Sequence, residues 1–182
     1  MGSCYNGANN AIKSCNFSST GLSSFIKSKI EEVTWYLGGV NASSFSDQVY
    51  VMERGNDTID NPNDGVNRTT MHTGKVGLMY TSDYGYAADL RECLNLKLSA
   101  YSSTVNSYAC SASDWLFTEK RQHTINPSLS YNYIQLRISA SGYASGGNGS
   151  YDSYTTRPVF YLKSNVIFDS CNGTESDPYL IL

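Results

Sequence analysis

Residues 75–94 read KVGLMYTSDYGYAADLRECL, and the change of character halfway along this stretch sets the fold class. The apolar run from Lys75 to Tyr80 predicts a buried strand. Thr81-Ser82-Asp83 then offers short side-chain oxygens that can accept from the orphan amides of a helix's first turn, so a helix is expected near Tyr84 to Leu94. No strand–helix–strand rhythm continues beyond it. Helices and short strands are interspersed instead, which predicts an α+β domain with antiparallel pairing and one or two helices.

Toward the N-terminus, Leu22, Phe25, Ile26, Ile30 and Val33 fall on one stripe at helical spacing, predicting an amphipathic helix over residues 20–35. Gly38-Gly39 stops whatever follows Trp35-Tyr36-Leu37, and a short strand is expected from Gln48 to Glu53. Toward the C-terminus, Ile134, Leu136 and Ile138 alternate with Gln135, Arg137 and Ser139, the pattern of a half-buried strand. Asp114 to Phe117 is a short apolar piece, Pro158 to Lys163 reads as a core or edge strand, and Pro178 to Leu182 as a closing terminal strand. At 182 residues, with no internal repeat, the chain suits one compact domain with a sizeable core. Met1-Gly2-Ser3 reads as a cloning remnant, leaving residues 4–182 as that domain.

Composition removes several function classes. Charged residues make up 16% and the net charge is −3, which gives no footprint for nucleic acid or an anionic membrane. No apolar run reaches the roughly 18 residues that a membrane span needs, and no secretory leader is visible; any membrane anchor would lie upstream. The five cysteines contain no CxxC pair and the two histidines, His72 and His123, are far apart, so neither zinc nor another metal is expected. Cys93 with Cys110 and Cys4 with Cys15 are natural local disulfide pairs, leaving Cys171 unpaired; the alternative is buried free thiols in a cytosolic protein. Residues 56–70, NDTIDNPNDGVNRTT, form a polar loop that lacks the ligand register of a calcium site. Six Asn-x-Ser/Thr sequons mark surface loops.

Motifs of catalysis are missing: no GxSxG elbow, no phosphate-cradling glycine loop, no HExxH. His123 lies in the polar run EKRQHT and is expected on a solvated face; His72 is expected at the surface or as a cap. The carboxylate pairs Asp57/Asp60 and Glu175/Asp177 sit in loops without an apolar wall to shift their protonation. These readings predict a protein that is not an enzyme and uses no cofactor.

The informative stretch lies in residues 129–154, where Tyr131, Asn132, Tyr133, Tyr143, Asn148, Tyr151, Asp152 and Tyr154 are spaced by Ser and Gly. Tyrosine supplies large amphipathic contact area at low entropic cost, while Ser, Gly and Asn supply adaptable hydrogen bonds. The composition predicts a face that binds a protein or a glycan, with a ligand-free Ser/Gly loop as the alternative.

Two sets of segments carry a resemblance. GKVGLMYTSDYGYAA (Gly74 to Ala88), Cys93, Cys110 and Asp114 to Leu116 are similar to the C-terminal domains of bacterial prepilin-type, type IV pilin-like surface proteins. TWYLGG (Thr34 to Gly39), RPVFYLKSNV (Arg157 to Val166) and NGTESDPYLI (Asn172 to Ile181) resemble the same group. The resemblance implies an exported, cell-surface head anchored by an upstream apolar helix, with other pilin subunits as candidate partners.

The element at Leu78 to Ala88 and the RPVFYL strand also resemble the C-type-lectin-like architecture of formylglycine-generating enzyme relatives. The Glu-Pro-Asn and Trp-Asn-Asp calcium motifs of sugar-binding members are absent, and the catalytic cysteines of the formylglycine enzymes have no counterpart. Some C-type-lectin-like proteins carry a segment diversified by adenine-directed retroelements, and residues 131–154 have that composition and place. The resemblance implies an adhesion head, with Arg157 and Trp115 in the supporting scaffold. The alternatives are a structural pilin subunit and, further off, a formylglycine-enzyme-like domain.

Overall fold

A computed structural model describes residues 22–55, 70–102, 110–131, 134–147, 154–169, 171–174 and 176–182. Helix α1 spans Ser24–Lys29, and Ser23 Oγ caps it by accepting from the Ile26 amide at 3.2 Å. It ends at Ile30, where the backbone turns extended, and strand β1, Val33–Tyr36, follows. The helix expected over residues 20–35 is therefore cut short, because Val-Thr-Trp-Tyr is a run of β-branched and aromatic residues that packs better on a pleated surface. Strand β1 pairs antiparallel with β2, Met71–Gly74, aligning Trp35 with His72. Trp35 is 1% exposed, and its indole N–H donates to the Gly74 carbonyl at 2.9 Å.

Helix α2, Ser46–Glu53, replaces the strand expected from Gln48 to Glu53. Ser46, Val49 and Glu53, at steps of three and four, form its buried face, whereas Val51 points to solvent at 70% exposure. Strand β3 is only Gly77–Leu78, paired antiparallel with β8, Pro158–Val159. The flanking Met79 and Tyr80 are nevertheless buried.

Helix α3 spans Thr81–Ala87, so Thr81-Ser82-Asp83 is its first turn rather than its cap. The Tyr80 amide donates back to the Asp83 carboxylate at 2.9 Å, and a 3-10 turn at Arg91–Asn95 takes the place of a longer helix. Helices α2 and α3 pack closely at Gly85, where a Cβ would meet Ser46 Oγ at 2.1 Å and Leu98 Cδ2 at 2.8 Å.

A four-stranded sheet completes the α+β domain in the order β6-β5-β4-β7: Ala144–Gly146, Gln135–Ile138, Gln122–Pro127 and Thr155–Thr156. Pairing is antiparallel except between β4 and β7. Leu136 and Ile138 face the core beside Val49, Met79, Tyr84, Leu98 and Tyr101. The Cys93–Cys110 disulfide crosses this core as expected, closing a separation of 17 residues and excluding free thiols at that pair. Cys171 carries no disulfide, and the proposed Cys4–Cys15 pair lies outside the described residues.

Strand β4 runs through the sequence read as a solvated polar run: Gln122, His123, Thr124 and Asn126 are all buried. Trp115, assigned to the scaffold, is 76% exposed. The strand expected over Pro158 to Lys163 narrows to β8 plus a bridge from Leu162 to Ile30. The terminal strand reduces to a bridge from Phe168 to Ile181, leaving Tyr179, Leu180 and Leu182 exposed. No helix among the described residues is long and apolar enough to cross a membrane.

Candidate functional site

The segment after β4 begins the site. Ser128 bridges Val40: the Val40 amide donates to the Pro127 carbonyl at 3.0 Å, and the Leu129 amide donates to Val40 at 2.9 Å. This lays residues 40–43 alongside the turn that carries Tyr131. Ser99 in turn donates its amide to Ala42 at 2.9 Å, and Leu98 donates to Ser44 at 3.1 Å, tying that segment to the 3-10 turn at Leu98–Ala100.

On the opposite side, the β5–β6 turn is fixed by Ser139. Its hydroxyl accepts from the amides of Ser141 and Tyr143, each at 3.2 Å. Gly142 adopts a left-handed φ of 89° there, a conformation glycine takes without steric cost. The buried Tyr84 hydroxyl donates to the Gly142 carbonyl at 2.6 Å, pinning the turn to the core.

These supports leave an open groove of about 380 Å³ with Tyr131 and Tyr143 on its lining. Polar walls come from Asn41, Ser43, Ser99, Ser128, Ser130 and Ser145, and the remaining lining is apolar, including Val40, Ile134, Leu136 and Ala144. Among the described residues, no Asp, Glu, Lys, Arg or His contributes to it. The volume falls within the roughly 300–1,000 Å³ usual for small-ligand sites.

Of the eight tyrosine-segment residues expected to bind, the structure brings Tyr131 and Tyr143 together at this groove. Tyr131 is 54% exposed and Tyr143 half-buried. Tyr154 does not line it. Its ring stands 4.9 Å from the His123 ring on the neighbouring strands, and its hydroxyl accepts from Arg137 Nη1. The guanidinium groups of Arg137 and Arg121 lie 4.9 and 5.9 Å from the same ring. His123, expected in solvent, is thus buried at 7% exposure, held between strands with Tyr154 against it. Asn132, Tyr133, Asn148, Tyr151 and Asp152 lie outside the described residues, as does most of the polar loop that begins at Asn56.

Two buried carboxyls escaped the sequence reading. Glu53 accepts from the Ser82 amide at 2.8 Å and from the Ser82 hydroxyl, and pairs with Arg54 at 3.1 Å. Burial pushes it up to about 7, against the opposing pull of those hydrogen bonds and Arg54. It joins the end of α2 to the first turn of α3. Asp114 accepts from the Leu116 amide at 2.8 Å, and burial likewise pushes it up to about 7. Neither carboxyl lines the groove. Nothing in VMERG or SASDW marks these acids in the sequence, because their burial depends on distant partners. Among the described residues, no three His, Cys, Asp or Glu side chains gather where they could hold a metal ion.

No protein-family model matches the chain, and no curated protein or solved structure gives a match to it.

Proposed function

We propose that this domain is the non-enzymatic, ligand-binding head of a pilin-like bacterial surface protein, exported and anchored by a segment upstream of the fold. It engages its ligand through the groove that Tyr131 and Tyr143 share. The observation that carries the reading is the pairing of those two tyrosines with serine and asparagine walls in one open concavity. Aromatic faces beside adaptable hydroxyls suit recognition, and no Asp, Glu, His or Lys stands among the groove's described lining residues to act as a general acid or base. Supporting the exported location is the disulfide in the core, a bond favoured in oxidising compartments.

Substituting Tyr131→Ser together with Tyr143→Ser tests the reading in a cell- and glycan-adhesion assay on the folded chain. Adhesion that drops to background supports it. Adhesion unchanged in the double variant removes the groove from the function.

A second reading, a structural pilin subunit, is favoured by one feature. Ile167, Phe168, Tyr179, Leu180 and Leu182 are all between 46% and 66% exposed along the C-terminal segment. Exposed apolar clusters of this kind mark contact surfaces. Ile167→Ser with Leu180→Ser separates the readings: assembly lost with adhesion per subunit intact assigns this surface to packing.

A further inference from the structure

Resting on the groove reading above, we propose that the ligand is the uncharged end of a glycan, bound without a metal ion. Three features of the lining lead there. First, the polar side chains among its described lining residues belong to five serines, one asparagine and two tyrosines, with neither a cation nor a carboxylate among them. An anionic sugar such as a sialic acid or uronate would have to leave water with no opposite charge to meet it, and an ammonium group would meet the same penalty. Neutral sugar hydroxyls lose nothing comparable, because each is donor and acceptor and so is each serine that faces them.

Second, the groove has two kinds of surface, as a sugar ring does. Half-buried Ile134 gives it apolar surface, and the amphipathic residues Tyr131 and Tyr143 also line it. The C–H face of a pyranose can rest on the rings and the apolar lining while its hydroxyls reach the serines. Third, the scale is right. About 380 Å³ holds a terminal sugar and part of the next. A folded protein partner would need roughly 800 Å² of its own surface buried, far more than this concavity offers.

The supports of the groove also suit a preformed site. Tyr143 sits in a turn held by Ser139 and by the buried Tyr84, and residues 42–44 are held by the amides of Leu98 and Ser99. Little ordering is left to occur on binding.

The test is an array of oligosaccharides with neutral termini (hexose and N-acetylhexosamine) and with sialylated, uronated and sulfated termini, probed with the full chain. Binding confined to neutral termini and unchanged by a chelator is expected. Tyr143→Ser should weaken it about tenfold or more. Ser130→Glu, which sets a carboxylate on the exposed rim, should weaken it by a similar factor while leaving the unfolding midpoint unchanged. Binding restricted to anionic termini, or abolished by the chelator, overturns the proposal.

Binding to no glycan also overturns it, and a displayed random-peptide library then decides the parent reading. Peptide capture that is lost in Tyr131→Ser/Tyr143→Ser keeps the groove as a binding site for peptides. Capture that survives that double substitution overturns both.

Discussion

Titrating Glu53 should change the stability of this domain in the direction opposite to that of an ordinary surface acid. The side chain is fully buried, and its carboxyl sits at about 7 in the folded state against 4.5 when free. Below pH 4.5 it is protonated in both states. As pH rises from there toward 7, the unfolded chain ionises and the folded one does not, so stability falls across that window and levels off above it.

At about 1.4 kcal/mol for each tenfold change in proton affinity, the ceiling for the whole window is about 3 kcal/mol, and between pH 5 and pH 8 about 2.5 kcal/mol remain. Asp114 is pushed the same way by burial, so the wild-type slope holds both contributions. Glu53→Gln isolates one of them. The amide can accept from the Ser82 N–H and donate to the Ser82 oxygen, and Arg54, stacked 3.5 Å from the Tyr50 ring centroid, keeps a partner.

The assay is urea unfolding at several pH values between 5 and 8, read by the fluorescence of the buried Trp35 with the disulfide intact. Wild type should lose about 1–2.5 kcal/mol more than Glu53→Gln over that range. Parallel curves, or a wild type that gains stability toward pH 8, would refute the assignment of a neutral buried Glu53. Glu53→Ala, which strands both Ser82 donors, should cost about 3 kcal/mol at pH 5 and less toward pH 8, where the wild type has already lost the contribution of the neutral carboxyl.

Gly85→Ala forces a methyl into Ser46 and Leu98 and should destabilise by about 2–3 kcal/mol in the same unfolding assay; a loss below about 0.5 kcal/mol would show that α2 and α3 are farther apart. Breaking the Cys93–Cys110 bond with Ser at both positions should cost about 3 kcal/mol, the chain-entropy value for a loop of this length, and an unchanged urea midpoint would contradict it. Tyr84→Phe removes the hydroxyl that holds Gly142 and should cost about 1 kcal/mol, with faster amide exchange at Tyr143; exchange equal to wild type would show the turn is fixed by Ser139 alone. Trp115→Ala should shift stability by less than about 0.5 kcal/mol, since most of the indole already meets water, and a large loss would return Trp115 to the scaffold.

The sequence was most readable where hydrophobic period and burial agree. Leu136 and Ile138 alternate with Gln135 and Arg137, and the structure buries the first pair and half-buries the second. It was least readable at β4. There Gln122 donates to the Leu116 carbonyl at 2.9 Å, Thr124 donates to Leu136 at 3.0 Å, and Asn126 accepts from the Thr81 amide at 2.9 Å. A strand whose polar side chains hydrogen-bond to distant backbone groups carries no apolar alternation to detect.

At α2 the sequence predicts a strand because Val49, Tyr50 and Val51 favour one locally. Packing of Ser46, Val49 and Glu53 against α3 overrides that preference. At the groove, composition pointed to Tyr131 and Tyr143. The walls contributed by Asn41, Ser43 and Ser99 come from far along the chain, and the hydrogen bonds at Val40, Ala42 and Ser44 bring them there.

The joint between α1 and the last segments has a mechanical meaning. Lys29 Nζ donates to the Leu182 carbonyl at 2.6 Å, Lys163 donates its amide to Lys29 at 2.9 Å, and Glu31 donates to Tyr161 at 2.9 Å. The last residue of the described chain therefore meets α1 at its C-terminal end. Pulling Leu182 away from α1 loads this small latch first.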